Sequence, residues 1–278
     1  MDELPFCITR LILRKLSVDD LIMFGRVSKS FNKLLKKNLK YLSIELKKYS
    51  TYWDNDSIRN KHLRFFKDVH TLYLFSCEKI TNSGIKFLKN VHTLDLSYCT
   101  RISDGALYHL QNVKILDLSY CENIIGKGLK YLKNINELYL SQCYNIKSYY
   151  FQQPVHKSFL KNIRVLDVSS CYITDKCLKF FGHIETLNLS YCREITDKGL
   201  SFLRNVKNLH LMDNNQITYK GLSFLKNLRK LNSWECEFIN DQDLSVLKNF
   251  INLKKLILYR GFITDHCLSF LKMLKNLN

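Results

Sequence analysis

From residue 69 onward the chain repeats itself, and this constrains its fold more than any other feature. The pattern hydrophobic-x-x-Leu-x-Leu-x-x-Cys opens at Val69, Val91, Val113, Ile135, Ile163, Ile184, Val206, Leu228 and Leu253. The intervals between openings are 22, 22, 22, 28, 21, 22, 22 and 25 residues. The Leu-x-Leu alternation has period two, so each unit opens with a short strand whose two leucines point inward. Thr or Ser follows as a helix cap, at Thr81, Ser103, Thr174, Thr196 and Thr264, often with Asp next in the first turn. The tail seen in "KGLSFLRN" spaces its apolar residues for a short helix facing back on the strand. One strand and one short helix cannot bury their own apolar faces, so the nine units must stack into a solenoid.

Seven of the ten cysteines fall in one slot of the repeat: Cys77, Cys99, Cys121, Cys143, Cys171, Cys192 and Cys236. Asn214 and Gly261 fill it in the other two units. The slot lies where the strand bends into the loop, inside the stack, so a small side chain with a weak donor suits it, and Asn214 shows that an amide serves as well. Cysteines spaced one per repeat line up along the stack and do not gather as zinc ligands do. No metal ligand set, catalytic residue or cofactor is expected. The sequence has no Gly-rich phosphate loop, no G-x-S-x-G and no ligand spacing among its eight histidines.

Lys and Arg number 43 against 25 Asp and Glu, a formal charge of +18, which attracts polyanions in general. The lysines cluster on predicted helices and loops, at Lys86, Lys89, Lys127, Lys130, Lys133, Lys176, Lys179, Lys198, Lys220 and Lys226, as on a solvated outer face. No apolar run reaches the length of a membrane span. Asp2 and Glu3 stand where a secretory leader would be positive, so an intracellular, reducing compartment is expected, cytoplasmic or nuclear.

The spacing and the "C-x-x-ITD-x-GL" text resemble the cysteine-containing class of leucine-rich repeats over residues 69 to 278. The resemblance implies an α/β leucine-rich-repeat solenoid, a horseshoe with a parallel sheet on its concave side. The fourth unit departs from it, with about six extra residues around "YYFQQPVHKSF" (149–159) expected to bulge from the convex side. The end, "LKMLKNLN" (271–278), reads as another strand opening without a polar cap and is expected to be a sticky edge. Residues 45–68 read either as a linker or as a degenerate first repeat built on Leu39, Leu42 and Ile44.

Residues 1–44 do not fit the repeat. Ile8, Leu11, Ile12 and Leu16 recur at helical spacing, Ser17 and Asp20 form a variant capping box, and Ser28 can cap a third helix. This segment resembles an F-box, an all-α unit of three helices. The motif falls without gaps on Leu4, Pro5, Ile8, Ile12, Leu13, Leu16, Ser17, Asp20, Leu21, Val27, Lys29 and Phe31. Phe6 and Cys7 replace the usual acidic pair, Ser28 the common Cys, and Phe31 the common Trp. The plainer reading makes these helices a cap on the solenoid.

An F-box followed by cysteine-containing repeats is itself a family architecture, and it implies the substrate-recognition subunit of an SCF-type cullin–RING ubiquitin ligase. The F-box would dock on the Skp adaptor through Leu4, Pro5, Ile8, Ile12, Leu13, Leu16, Leu21 and Val27, and the concave wall would hold a protein substrate. Such a receptor is no enzyme; it raises the local concentration of substrate lysines. The outward positions between the strand leucines read Tyr73, Asp95, Asp117, Tyr139, Asp167, Asn188, His210, Asn232 and Ile257, and the column two residues on ends in Trp234 and Tyr259. Three aspartates in so basic a chain point to a substrate presenting Lys or Arg, with Trp234 and Tyr259 as apolar anchors. Equally, Asp95, Asp117 and Asp167 could serve only to bond neighbouring Ser and Thr. Two alternatives stand beside the ligase reading: a protein-interaction scaffold that binds no adaptor, and, less favoured, a basic nucleic-acid-binding protein. The heavy use of Lys, Asn, Tyr, Ile and Phe fits an AT-rich genome, such as that of a large DNA virus or a protist.

Overall fold

The computed structural model describes residues 43–45, 58–154, 157–233 and 250–258. Its sheet has ten strands in sequence order, every neighbouring pair parallel. They are β1 (Ser43–Glu45), β2 (Thr71–Tyr73), β3 (Thr93–Asp95), β4 (Ile115–Asp117), β5 (Glu137–Tyr139), β6 (Val165–Asp167), β7 (Thr186–Asn188), β8 (Asn208–His210), β9 (Lys230–Ser233) and β10 (Lys255–Leu258). The register never slips: Leu72, Leu94, Leu116, Leu138, Leu166, Leu187, Leu209, Leu231 and Leu256 are successive partners. A period-two pattern makes this register rigid, because a one-residue slip would turn every leucine outward. Leu74, Leu96, Leu118, Leu140 and Leu211 are fully buried behind the same wall.

Ahead of the nine units, β1 sets Ile44 opposite Leu72, and a 3-10 helix at His62–Phe66 buries Leu63 and Phe66. This stretch therefore supplies a strand and a helical turn at the positions the repeats use.

The cysteine slot is a hydrogen-bonded ladder inside the stack. The thiols of Cys99, Cys121 and Cys143 donate to the carbonyls of Leu74, Leu96 and Leu118 one unit back, at 3.2, 3.2 and 3.1 Å. Cys171 and Cys192 do the same to Leu140 and Val168, and the Asn214 amide donates to Leu189 at 2.9 Å. Thiol and amide are interchangeable because the slot asks only for a donor aimed at the second lone pair of a carbonyl that already accepts a backbone amide in its own unit. Burial pushes Cys77, Cys143 and Cys192 up to about 12 and raises Cys99, Cys121 and Cys171 as well, so these sulfurs stay protonated and inert.

Opposite the sheet, the described units carry short helices, and here the expectation about caps needs correction. Thr81, Ser103, Thr174, Thr196 and Thr218 do stand at N-cap positions with extended backbones. Only Thr196 and Thr218 accept from their own helix, from the amides of Lys198 and Lys220. The residue after the cap does the larger job, clamping the following unit. Asp175 accepts from the Thr196 amide at 2.9 Å and its hydroxyl at 2.6 Å, and Asp197 from Thr218 at 2.7 and 2.6 Å. Asn60 and Asn82 likewise accept from the amides of Thr81 and Ser103 but donate to their hydroxyls, and Asp104 takes the amides of Ile125 and Gly128.

The clamp explains the glycine of the "KGL" text. A Cβ on Gly199 or Gly221 would run into the clamping carboxylate of Asp175 or Asp197, and one on Gly84 would lie 2.5 Å from the Asn60 amide oxygen. Where the clamp changes, its partner changes too. Ser148 is followed one unit on by Cys177, which it contacts directly. Gly126, at φ +103, is followed by Tyr150, whose ring fills the space where a Cβ would sit at 3.1 Å. A second stitch comes from an asparagine just after the helix in most units: Asn134, Asn162 and Asn227 donate to the carbonyls of Gln111, Lys133 and Arg204.

The long fourth unit carries its added length between Phe151 and Leu160, with Pro154 and Ser158 exposed and residues 155 and 156 outside the described residues. It forms two helices, Ser148–Gln152 and Lys157–Leu160, with Phe151 and Phe159 fully buried. Phe151 meets Phe181 of the next unit edge-on at 5.3 Å. Phe151 stands three residues into its helix, where Leu178 and Leu200 stand in later units, so it fills a regular core position with a larger side chain.

Candidate functional site

The wall has three rows, and backbone hydrogen bonds fix each residue's place. The middle row carries most of the residues singled out from the sequence. Tyr73, Asp95, Asp117, Tyr139, Asp167, Asn188, His210, Asn232 and Ile257 are consecutive Cα partners, and Glu45 extends the row in register. At ~4.8 Å per strand the row is on the order of 40 Å long. Trp234, Tyr259 and the F-box positions Leu4, Pro5, Ile8, Ile12, Leu13, Leu16, Leu21 and Val27 lie outside the described residues.

The aspartates are held from below. Asp95 accepts from the Ser97 amide at 2.8 Å and hydroxyl at 2.5 Å, Asp167 from the same groups of Ser169 at 2.9 and 2.6 Å, and Asp117 from the Ser119 amide at 2.8 Å. Asn188 donates to the second oxygen of Asp167. These bonds orient the carboxylates without neutralising them. Burial raises the Asp117 carboxyl, against the pull of the Ser119 bonds. Tyr139 donates to Glu137 at 3.0 Å and is itself pushed up to about 12, by burial first and then by that bond. His210 is held below its ordinary range by burial, and Lys230 and Lys255 add to the effect while Asp167 opposes it.

A second row borders the wall where the strands end. Ser76, Tyr98, Tyr120, Gln142, Ser170, Tyr191 and Asp213 all have φ between 52 and 62°, the left-handed region that costs an ordinary residue roughly 1–2 kcal/mol. The turn recurs because each strand must bend into its cysteine slot. Tyr98 and Tyr120 stack at 4.0 Å and Phe75 leans on Tyr98 at 5.0 Å, with Tyr144, Tyr172 and Tyr191 exposed along the same rim. The sequence holds no glycine at these turns, so nothing there announced a positive φ.

A third row leads into the strands, where each amide donates to the carbonyl one unit back. It reads His70, His92, Lys114, Asn136, Arg164, Glu185, Lys207, Arg229 and Lys254. This row amends the expectation that the cations keep to helices and loops: five of its members are cations, and Lys230 and Lys255 add two more beside it. These positions fall just ahead of the Leu-x-Leu columns, which is why those columns do not reveal them.

An open parallel sheet backed by short helices and an inward leucine ladder defines a leucine-rich-repeat solenoid. The Leucine Rich repeat model matches residues 109–133, 183–204 and 202–226, and the F-box domain model matches residues 1–43. The chain thus carries an F-box domain followed by leucine-rich repeats, its F-box match ending at the residue where β1 begins. The fold is similar to that of internalin (inlF) from Listeria monocytogenes str. 4b F2365, with TM-score 0.55, 18% identity, and 78% of this chain and 68% of that one covered. It is similar to TLR13 in its ssRNA13 complex at TM-score 0.55 and 17% identity, covering 78% of this chain but only 36% of TLR13. No curated protein matches the sequence. Both matched domains are interaction modules, and neither belongs to an enzyme family. Among the described residues, no helix is long and apolar enough to cross a membrane.

Proposed function

We propose that the chain is the substrate receptor of an SCF-type cullin–RING ubiquitin ligase, working inside the cell. One observation carries the reading: an F-box at residues 1–43 runs directly into a ten-stranded leucine-rich-repeat wall. The F-box docks on the Skp adaptor through Leu4, Pro5, Ile8, Ile12, Leu13, Leu16, Leu21 and Val27. The wall holds a protein substrate, and the gain is proximity rather than chemistry. Tyr73, Asp95, Asp117, Tyr139, Asp167 and His210 face that substrate, with Trp234 and Tyr259 as anchors at the far end. Pre-oriented carboxylates favour a basic segment, because aspartates fixed by their serines need no reordering to meet a cation.

Co-purification with the Skp adaptor tests this. Capture by the wild type should be lost in Leu4→Ala/Pro5→Ala and in a chain lacking residues 1–41, which keeps β1, with circular dichroism unchanged in the first. A wild type that captures no adaptor would leave a protein-interaction scaffold. For the wall, Asp95→Asn/Asp117→Asn/Asp167→Asn should weaken binding of a lysine-rich peptide by about tenfold or more; unchanged binding would leave these carboxylates a purely local role.

A further inference from the structure

The charges of the wall are segregated. Its middle row is acidic through β3, β4 and β6, with Asp95, Asp117 and Asp167. Its last three strands are basic. Lys230 and Lys255 are direct Cα partners on β9 and β10, and Lys207, Arg229 and Lys254 are bonded in sequence along the leading row beside them. Like charges opposed across a ladder destabilise it. Glu185, 3.3 Å from Lys207, is the one anion that forms an ion pair with this cluster among the described residues. Arg229, Lys230, Lys254 and Lys255 are all exposed. His210 on the neighbouring strand is held low by burial first, and Lys230 and Lys255 add to that while Asp167 opposes it. Arg229, Lys230, Lys254 and Lys255 make no ion pair among the described residues and stand open to an anion from outside the chain.

We infer that the β8–β10 end of the wall is a docking surface for an acidic protein segment, so that one partner spans the wall with a basic stretch over β3–β6 and an acidic stretch over β8–β10. This rests on the reading of the wall as a protein-binding face and adds the polarity of its partner. Three strands set ~10 Å of basic surface, which matches about three residues of extended peptide at ~3.3 Å each. A nucleic acid is disfavoured, since a polyanion continuing along the wall would meet Asp167, Asp117 and Asp95 in turn. A protein segment can change sign where the wall does.

The test is fluorescence anisotropy on the full chain at low and near-physiological salt. The labelled probes are a short glutamate-rich peptide, a lysine-rich peptide, a peptide joining the two blocks, and oligothymidylate. The joined peptide should bind more tightly than either block alone, because the second contact becomes intramolecular. Lys230→Glu/Lys255→Glu should weaken the glutamate-rich and joined peptides by about tenfold or more. It should leave the lysine-rich peptide unweakened, and Lys86→Glu/Lys89→Glu on the helix side should change none of them. Glutamate-rich binding that is absent, or indifferent to the reversal, would overturn the inference. So would oligothymidylate that binds more tightly than the glutamate-rich peptide and loses as much on reversal, which would mark a nucleic-acid site. The lysine-rich arm reports on the acidic half by itself, and adaptor capture through residues 1–43 on the same variants reports on the receptor reading, so each can fail separately.

Discussion

The sheet side and the helix side of the solenoid solve the same stacking problem by different means. On the sheet side, backbone hydrogen bonds set the spacing, and the buried leucines are nearly identical from β2 to β10. The outward residues are then free to vary, and they do, from Asp95 to Lys255. On the helix side no backbone ladder joins the units, so side chains must set the distance in pairs: Asp175 with Gly199, Ser148 with Cys177, Gly126 with Tyr150. Where the backbone fixes geometry, sequence is released for recognition; where it does not, sequence is spent on fit.

The contrast can be broken first at the sheet. Leu116→Ala removes a fully buried leucine whose neighbours cannot close in, and it should cost about 2–5 kcal/mol in urea unfolding followed by circular dichroism. On the helix side, Gly199→Ala should cost about 1–3 kcal/mol by driving a Cβ into the Asp175 carboxylate. If the pair is a fitted unit, adding Asp175→Ser should recover part of that loss, a coupling of about 0.5–3 kcal/mol; strict additivity would deny the pairing.

A smaller gain is expected at the cysteine ladder. The buried Oδ1 of Asn214 has no partner among the described residues, so Asn214→Cys should stabilise by about 1 kcal/mol. The smallest effect is with pH. His92 and His210 are both held below the ordinary value of 6.5, by burial first. The unfolded chain therefore binds protons that the fold resists. Stability should be intact above that value, fall as pH drops through it, and level off once the folded-state values are passed. The slope should flatten in His210→Gln, and a flat wild-type profile near pH 6 would contradict the assignment.

The parts of this fold that follow short-range periodicity were legible in the sequence. Leu-x-Leu defines strands locally, and a constant interval aligns them, so the row from Tyr73 to Ile257 could be written down correctly. The cysteine slot was legible because Asn214 betrayed its chemistry. The clamp was not: Asp175 reads as an ordinary first-turn carboxylate, since its partners Thr196 and Gly199 lie a whole unit away. Its signal was the small residue two places after the clamp position, as Gly84 after Asn82, Cys177 after Asp175 and Gly199 after Asp197. Phe151 and Phe159 were missed because Pro154 and the added length suggested an outward loop. The basic end of the wall was missed because Arg229 and Lys254 sit just ahead of the strands that orient them.

The fitted pairs also bear on how such a gene can grow. Each unit carries two halves of different locks, one facing back and one facing forward. A unit bearing Asp197 and Gly199 can follow a copy of itself, since its own glycine accepts its own aspartate. The unit bearing Ser148 and Tyr150 cannot, because the tyrosine would meet a serine where it needs a glycine. Tandem duplication is therefore open at some places in this coding sequence and closed at others, and the order of the units is inherited as a whole.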